Sequence, residues 1–289
     1  MVVLPEKLQR FYLEALPWFY LPALSQKVVT VMSDRDSGAD QLLRATQANP
    51  SASGWLELEW ERATGRVDEE KREVDYWIPR LGIERCRRAW LKGQLQARWG
   101  VPVLLTYSER ISQKVESFSG SKDPSYGDSA FLAGLLFDLL EMGMQRQKKL
   151  GSTEKLIFES RVKRFERGLE NLITLTRSQK NLSAKRWIAG AAATVAVTEL
   201  WLHLDDPSLS AQMVKWEARG YPSEIRRLLI RRALGFSPKV LATWVADAFP
   251  TLESYREGIR WSDTPAQLAA DRRELFELAT ILGSTPEMS

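Results

Sequence analysis

The feature that most constrains this chain is the spacing of its apolar side chains. They recur at three- and four-residue intervals in nearly every segment and nowhere alternate with polar residues for long enough to make a strand. That period gathers the apolar residues of a segment onto one stripe, which is buried by packing against another helix. The expectation is an all-α, multi-helix bundle. Punctuation divides it into short elements. Asn49-Pro50, Ser237-Pro238 and Thr264-Pro265 place proline where a first helical turn tolerates a missing N–H, and Ser37-Gly38-Ala39-Asp40 has the spacing of a capping box. Gly65, Gly82, Gly220 and Gly235 mark further breaks.

Longer helices are predicted over 83–98, 101–118, 129–144, 153–178 and 183–202, with shorter ones before residue 90 and from 209 to 282. Ser119 to Gly127 reads as a connecting loop. The division expected is two packed helical subdomains, 1–127 and 128–250, with a helical extension at 251–289. A single cysteine, Cys86, excludes an internal disulfide and fits a reducing compartment, so a soluble cytoplasmic protein is expected. Glu6, Lys7, Arg10 and Glu14 interrupt the N-terminal apolar residues and argue against a secretory signal. The longest weakly polar stretch, 187–198, ends at Glu199, well short of the roughly 20 residues that span a bilayer. No membrane partner is expected.

Chemistry-bearing residues are sparse. The only histidine, His203, rules out a metal centre built from several imidazoles. It stands beside Asp205 and Asp206 near a predicted helix end, either as a base steered by a carboxylate or as a cation complementing the helix dipole. Cys86, in Arg85-Cys86-Arg87-Arg88, would be reactive if exposed and an ordinary packed cysteine if buried. No phosphate-cradling glycine loop, nucleotide fingerprint or nucleophile elbow is present. Neither a metal nor a cofactor is expected.

Charge decides little, since 41 cationic and 37 anionic residues leave a net +4. Arginines do gather in two places, with Arg85, Arg87 and Arg88 in one and Arg227 and Arg231 in the other as candidate anion-binding residues for a nucleotide such as a cyclic dinucleotide. Glu84, Glu217 and Glu224 interleave with these runs, which argues for solvated helix faces and against nucleic acid. Among the 11 tryptophans, Trp55, Trp60, Trp77 and Trp90 are candidates for a partner surface, with the core as the other reading of each.

One passage is more specific. Ser129-Ala130-Phe131-Leu132-Ala133-Gly134-Leu135-Leu136-Phe137-Asp138-Leu139-Leu140-Glu141-Met142-Gly143 resembles the helix of the HD superfamily that carries its His-Asp pair. Phe137 stands at the histidine position and Asp138 at the aspartate. Other segments are similar, in the same order, to the HDOD branch of that superfamily: Leu21-Pro22, Ser33 to Ser37, Asn49-Pro50-Ser51, Arg80-Leu81-Gly82, and Trp216 with Gly220 to Ile225. The resemblance covers about 21 to 234. It departs where Glu57 and Glu59 lie near Trp55 in place of an Asn-Ser-Ala step, and where Arg231 and Arg232 replace histidines.

The resemblance implies an HD/HDOD-like helical bundle that has lost its metal site, and with it a non-catalytic signalling or scaffold module. Its partner would be a response regulator or a second-messenger enzyme of a bacterial pathway, such as one using cyclic-di-GMP. Two other readings remain open: nucleotide binding by the arginine clusters, and hydrolysis by carboxylates such as Asp138, Asp205 and Asp206. For Asp138 itself the plain alternative is a buried, hydrogen-bonded aspartate.

Overall fold

The computed structural model describes residues 5–21, isolated positions between 23 and 44, and residues 51–67, 72–100, 105–119, 124–175 and 182–249. Among them the protein is helical throughout and contains no strand, as the apolar period requires. The elements are α1 (Glu6–Arg10), a π-helical turn (Phe11–Ala15), α2 (Leu16–Phe19), α3 (Ser51–Thr64), α4 (Val74–Leu81) and α5 (Ile83–Trp99). They are followed by α6 (Thr106–Ser119), α7 (Pro124–Arg146), α8 (Ser152–Leu175), α9 (Leu182–Asp205), α10 (Pro207–Ala218), α11 (Ser223–Leu234) and α12 (Lys239–Ala248). No helix among the described residues is long and apolar enough to cross a membrane. The Ser37–Asp40 and Thr264-Pro265 start signals and the extension at 251–289 lie outside the described residues.

The expected boundary at 127 falls inside α7. Pro124, Ser125 and Gly127 read as loop residues, yet proline is well suited to the opening of a helix because its missing N–H has no partner there anyway. The chain groups into two compact units: residues 1–20 together with 106–289, and residues 21–105.

In the unit of residues 21–105, α3, α4 and α5 pack on one another around Leu56, Trp77, Trp90, Leu91 and Leu95. Gly82 has φ +80°, a conformation that glycine reaches without strain, and so turns α4 directly into α5.

The other unit is built around α7, whose residues from Ala130 to Leu140 are all buried, with α6 and α9 as its most extensive neighbours and α8 laid on α6 and α9. The N-terminal segment belongs to this unit. Phe11 meets Trp201 edge-on at 4.8 Å, and a Cβ on Gly143 would lie 2.0 Å from the Trp18 ring, so that tryptophan lies directly on the α7 backbone. Ion pairs fasten the segment: Lys7 to Asp206, Arg10 to Asp205 at 2.8 Å, and Lys149 to Glu14 at 2.7 Å. Asp206 also caps α10, accepting the N–H groups of Ser208 and Leu209 at 3.0 Å each.

Candidate functional site

The residues singled out by the HD-like passage lie on two different faces of α7. Gly134 and Asp138, one turn apart, meet the first turn of α6. A Cβ on Gly134 would lie 2.5 Å from the Ser108 Cα and 2.7 Å from the Tyr107 carbonyl oxygen, so the helices touch backbone to backbone there. Asp138 Oδ1 accepts the Tyr107 N–H at 3.0 Å, and Oδ2 accepts the Ser108 N–H at 2.9 Å together with the Ser108 hydroxyl. Since α6 opens at Thr106, these N–H groups have no acceptor within their own helix. Asp138 therefore caps α6 from a neighbouring helix. Burial pushes its carboxyl up to about 7, against the pull of those three donors.

Phe137 is fully buried on the other side, 5.2 Å from Phe165 and 6.5 Å from Phe158, centroid to centroid. Between α6 and α8, Tyr107 stacks on Phe158 at 5.3 Å and its hydroxyl donates to Glu159 at 3.0 Å. Arg110 pairs with Glu166 and, at 3.3 Å, with Glu159, and Lys114 lies 3.6 Å from Glu166. The surroundings of Asp138 are thus an aromatic layer and a line of ion pairs. Among the described residues, no group of three or more His, Cys, Asp or Glu side chains could hold a metal ion.

The tryptophan candidates separate. Trp77 and Trp90 are fully buried, so the expectation that they form a partner surface is corrected: three packed helices need large side chains at their centre, and these two fill it. Trp55 and Trp60 are partly exposed; Trp55 lies against Gly93, where a Cβ would meet its ring at 2.3 Å, and Trp60 is 6.1 Å from Trp77.

The arginine candidates of α5 do not converge. Arg85 is exposed and paired with Glu59 at 3.2 Å, Arg87 is buried, and Arg88 is half-buried. Positions 85 and 87, two apart on a helix, look in different directions. Arg231 is exposed on α11, while the Arg227 side chain lies outside the described residues.

Cys86 is buried, and desolvation, followed by Glu84 and Glu59, pushes its thiol up to about 12, so the flanking arginines do not make it reactive. His203 is 5% exposed, and burial, followed by Arg161, lowers it to about 4. It is neutral near pH 7 and cannot act as a cation on the helix dipole. Its Nε2 is 2.7 Å from the Ser210 hydroxyl, and neither Asp205 nor Asp206 steers it: Asp205 pairs with Arg10, and Asp206 caps α10.

Neither a protein-family model, nor a curated protein, nor a solved structure matches this chain.

Proposed function

We propose that this chain is a non-catalytic signalling or scaffold module of HDOD-like architecture that binds a regulatory protein, a response regulator or second-messenger enzyme of a bacterial pathway, in the cytoplasm. The observation that carries the reading is the use made of Asp138. Both of its oxygens are taken by donors at the start of α6, and its neighbour Phe137 is packed among phenylalanines. A carboxylate so engaged serves the helix pair, and without an imidazole beside it there is no water-activating centre to support.

Partner binding then falls to exposed apolar side chains. Ile225 and Leu228, three residues apart on α11, are 43% and 53% exposed, and Val214 and Tyr221 on and after α10 are exposed as well. A helix presenting such a pair to a groove is a common mode of recognition.

The test is a pull-down with the full chain as bait, run beside an Ile225→Asp/Leu228→Asp double variant. One response regulator or second-messenger enzyme recovered in stoichiometric amount by the wild type and lost by the variant supports the reading. No protein recovered, with cyclic-di-GMP bound at micromolar concentration, replaces it by nucleotide binding. Metal-stimulated phosphodiesterase turnover that Asp138→Ala abolishes overturns it.

A further inference from the structure

A second polar cluster lies where α8, α9, α10 and α11 come together, and it shares only Arg226, the neighbour of Arg227, with the arginine runs read in the sequence. α8 contributes Arg161 and Arg164, α9 contributes Glu199 and His203, α10 contributes Ser210 and Glu217, and α11 contributes Arg226. Glu217 Oε1 holds Arg164 at 2.8 Å and Arg226 at 3.5 Å. Arg161 lies within electrostatic reach of Arg164, Glu199, Glu217 and Arg226, yet among the described residues it has neither a hydrogen bond nor an ion pair of its own. Arg164 and Arg226 thus share one Glu217 oxygen, while the largely desolvated Arg161 guanidinium has no ion pair of its own among the described residues.

His203 adds an independent observation. The ring is 95% buried, counting from its 5% exposure, and its Nδ1 has no hydrogen-bond partner although Nε2 meets Ser210. When the Ser210 hydroxyl donates to Nε2, the proton sits on Nδ1, and the buried ring holds a donor with nothing to receive it. In that tautomer a buried donor without an acceptor lies beside a half-buried cation that makes no direct ion pair, a combination that an anion between them would relieve.

The geometry points to an anion-binding site centred on Arg161, with Arg164, Arg226 and His203 around it, for a phosphate group. A carboxylate has two oxygens, both satisfied by a single guanidinium fork, whereas here Arg164 and Arg226 already crowd onto one oxygen, Oε1, of Glu217. A tetrahedral dianion offers more acceptors and a charge that several arginines can share, which suits a cluster whose central Arg161 has no ion pair of its own among the described residues. The inference is independent of the proposed protein partner.

Inorganic phosphate titrated into the full chain tests it, by calorimetry and by thermal melting, with sodium chloride at matched ionic strength as reference. The expected result is a saturable rise in melting temperature that chloride does not give, with affinity at least tenfold weaker in Arg161→Gln. Lys163→Gln, which removes an exposed cation two residues along α8, should keep the wild-type response. Because Arg161→Gln removes an unpaired, desolvated charge, the ligand-free variant should melt no lower than the wild type, which separates lost binding from lost folding. An equal response to chloride, a wild-type response in Arg161→Gln, or equal losses in the two variants would overturn the site. Adenosine monophosphate in a parallel titration identifies the source: tighter binding than phosphate assigns the site to a nucleotide phosphate, and equal binding assigns it to the free ion.

Discussion

Asp138 sets two demands on its position that no other side chain meets together: it must be short enough to stand at the seam left by Gly134, and it must offer two acceptor oxygens. Asp138→Ala would leave the N–H groups of Tyr107 and Ser108 buried and unsatisfied, at a cost of about 3 kcal/mol, read as a lower midpoint in urea. His203 gives a cleaner residue-level test because it is the only histidine. Its ring is held at about 4 against 6.5 for the free side chain, so the unfolded chain binds the proton more readily. Stability from this residue is complete above about 6.5 and is lost as pH falls toward 4, to the extent of about 3 kcal/mol at ~1.4 kcal/mol per pH unit. Asp138 acts in the opposite sense. A carboxyl lifted to about 7 favours the fold as it takes up its proton between about 7 and 3.8, so only the difference between wild type and His203→Gln isolates the histidine. That difference should shrink as the pH is lowered through the window.

At the scale of elements, the contact between α6 and α7 depends on the absence of a side chain. Gly134→Ala would place a methyl group 2.5 Å from the Ser108 backbone, and backbone cannot swing aside, so a loss of about 2 kcal/mol is expected in denaturant melts. Gly134→Ala with Asp138→Ala should cost less than the sum of the two, because both act at one contact. The helices themselves are readable in the sequence. The period alone places α5, α8, α9 and the end of α7 to within a few residues, because long apolar stripes leave little choice. The opening of α7 is not, because Pro124 and Gly127 have loop character by composition and helix character only by position. The buried, hydrogen-bonded reading of Asp138 is also available from the sequence, but its partner is not: Tyr107 is 31 residues away, and nothing local announces a cap supplied by another helix. The cluster of Arg161, Arg164 and Arg226 is hidden for the same reason: basic residues are dense around both segments, but nothing local says that α8 and α11 bring these three together.

For the molecule as a whole, the decisive arrangement is that residues 1–20 belong with 106–289, with residues 21–105 as a separate compact unit between them in sequence. Charge carries part of this attachment. Lys7 and the capped N–H groups hold the Asp206 carboxyl at about 2 in spite of its burial, so the anchor persists until the pH falls through 3.8 toward 2. Arg10→Met removes the nearer of the two cations on Asp205, whose side chain is 4% exposed and which keeps Lys149 at 3.6 Å, and should lower the melting temperature more than Glu6→Gln, whose partner is the same Arg10 at 3.9 Å on the surface of α1. The same arrangement has a bearing on biosynthesis. Arg10 waits for a residue 195 positions later, and at 5–20 residues per second a ribosome needs roughly 10 to 40 s to deliver it. Phe11, Trp18 and Phe19 are side chains that wait for their neighbours during that interval, so the segment 11–19 of the growing chain exposes apolar surface that the finished fold conceals.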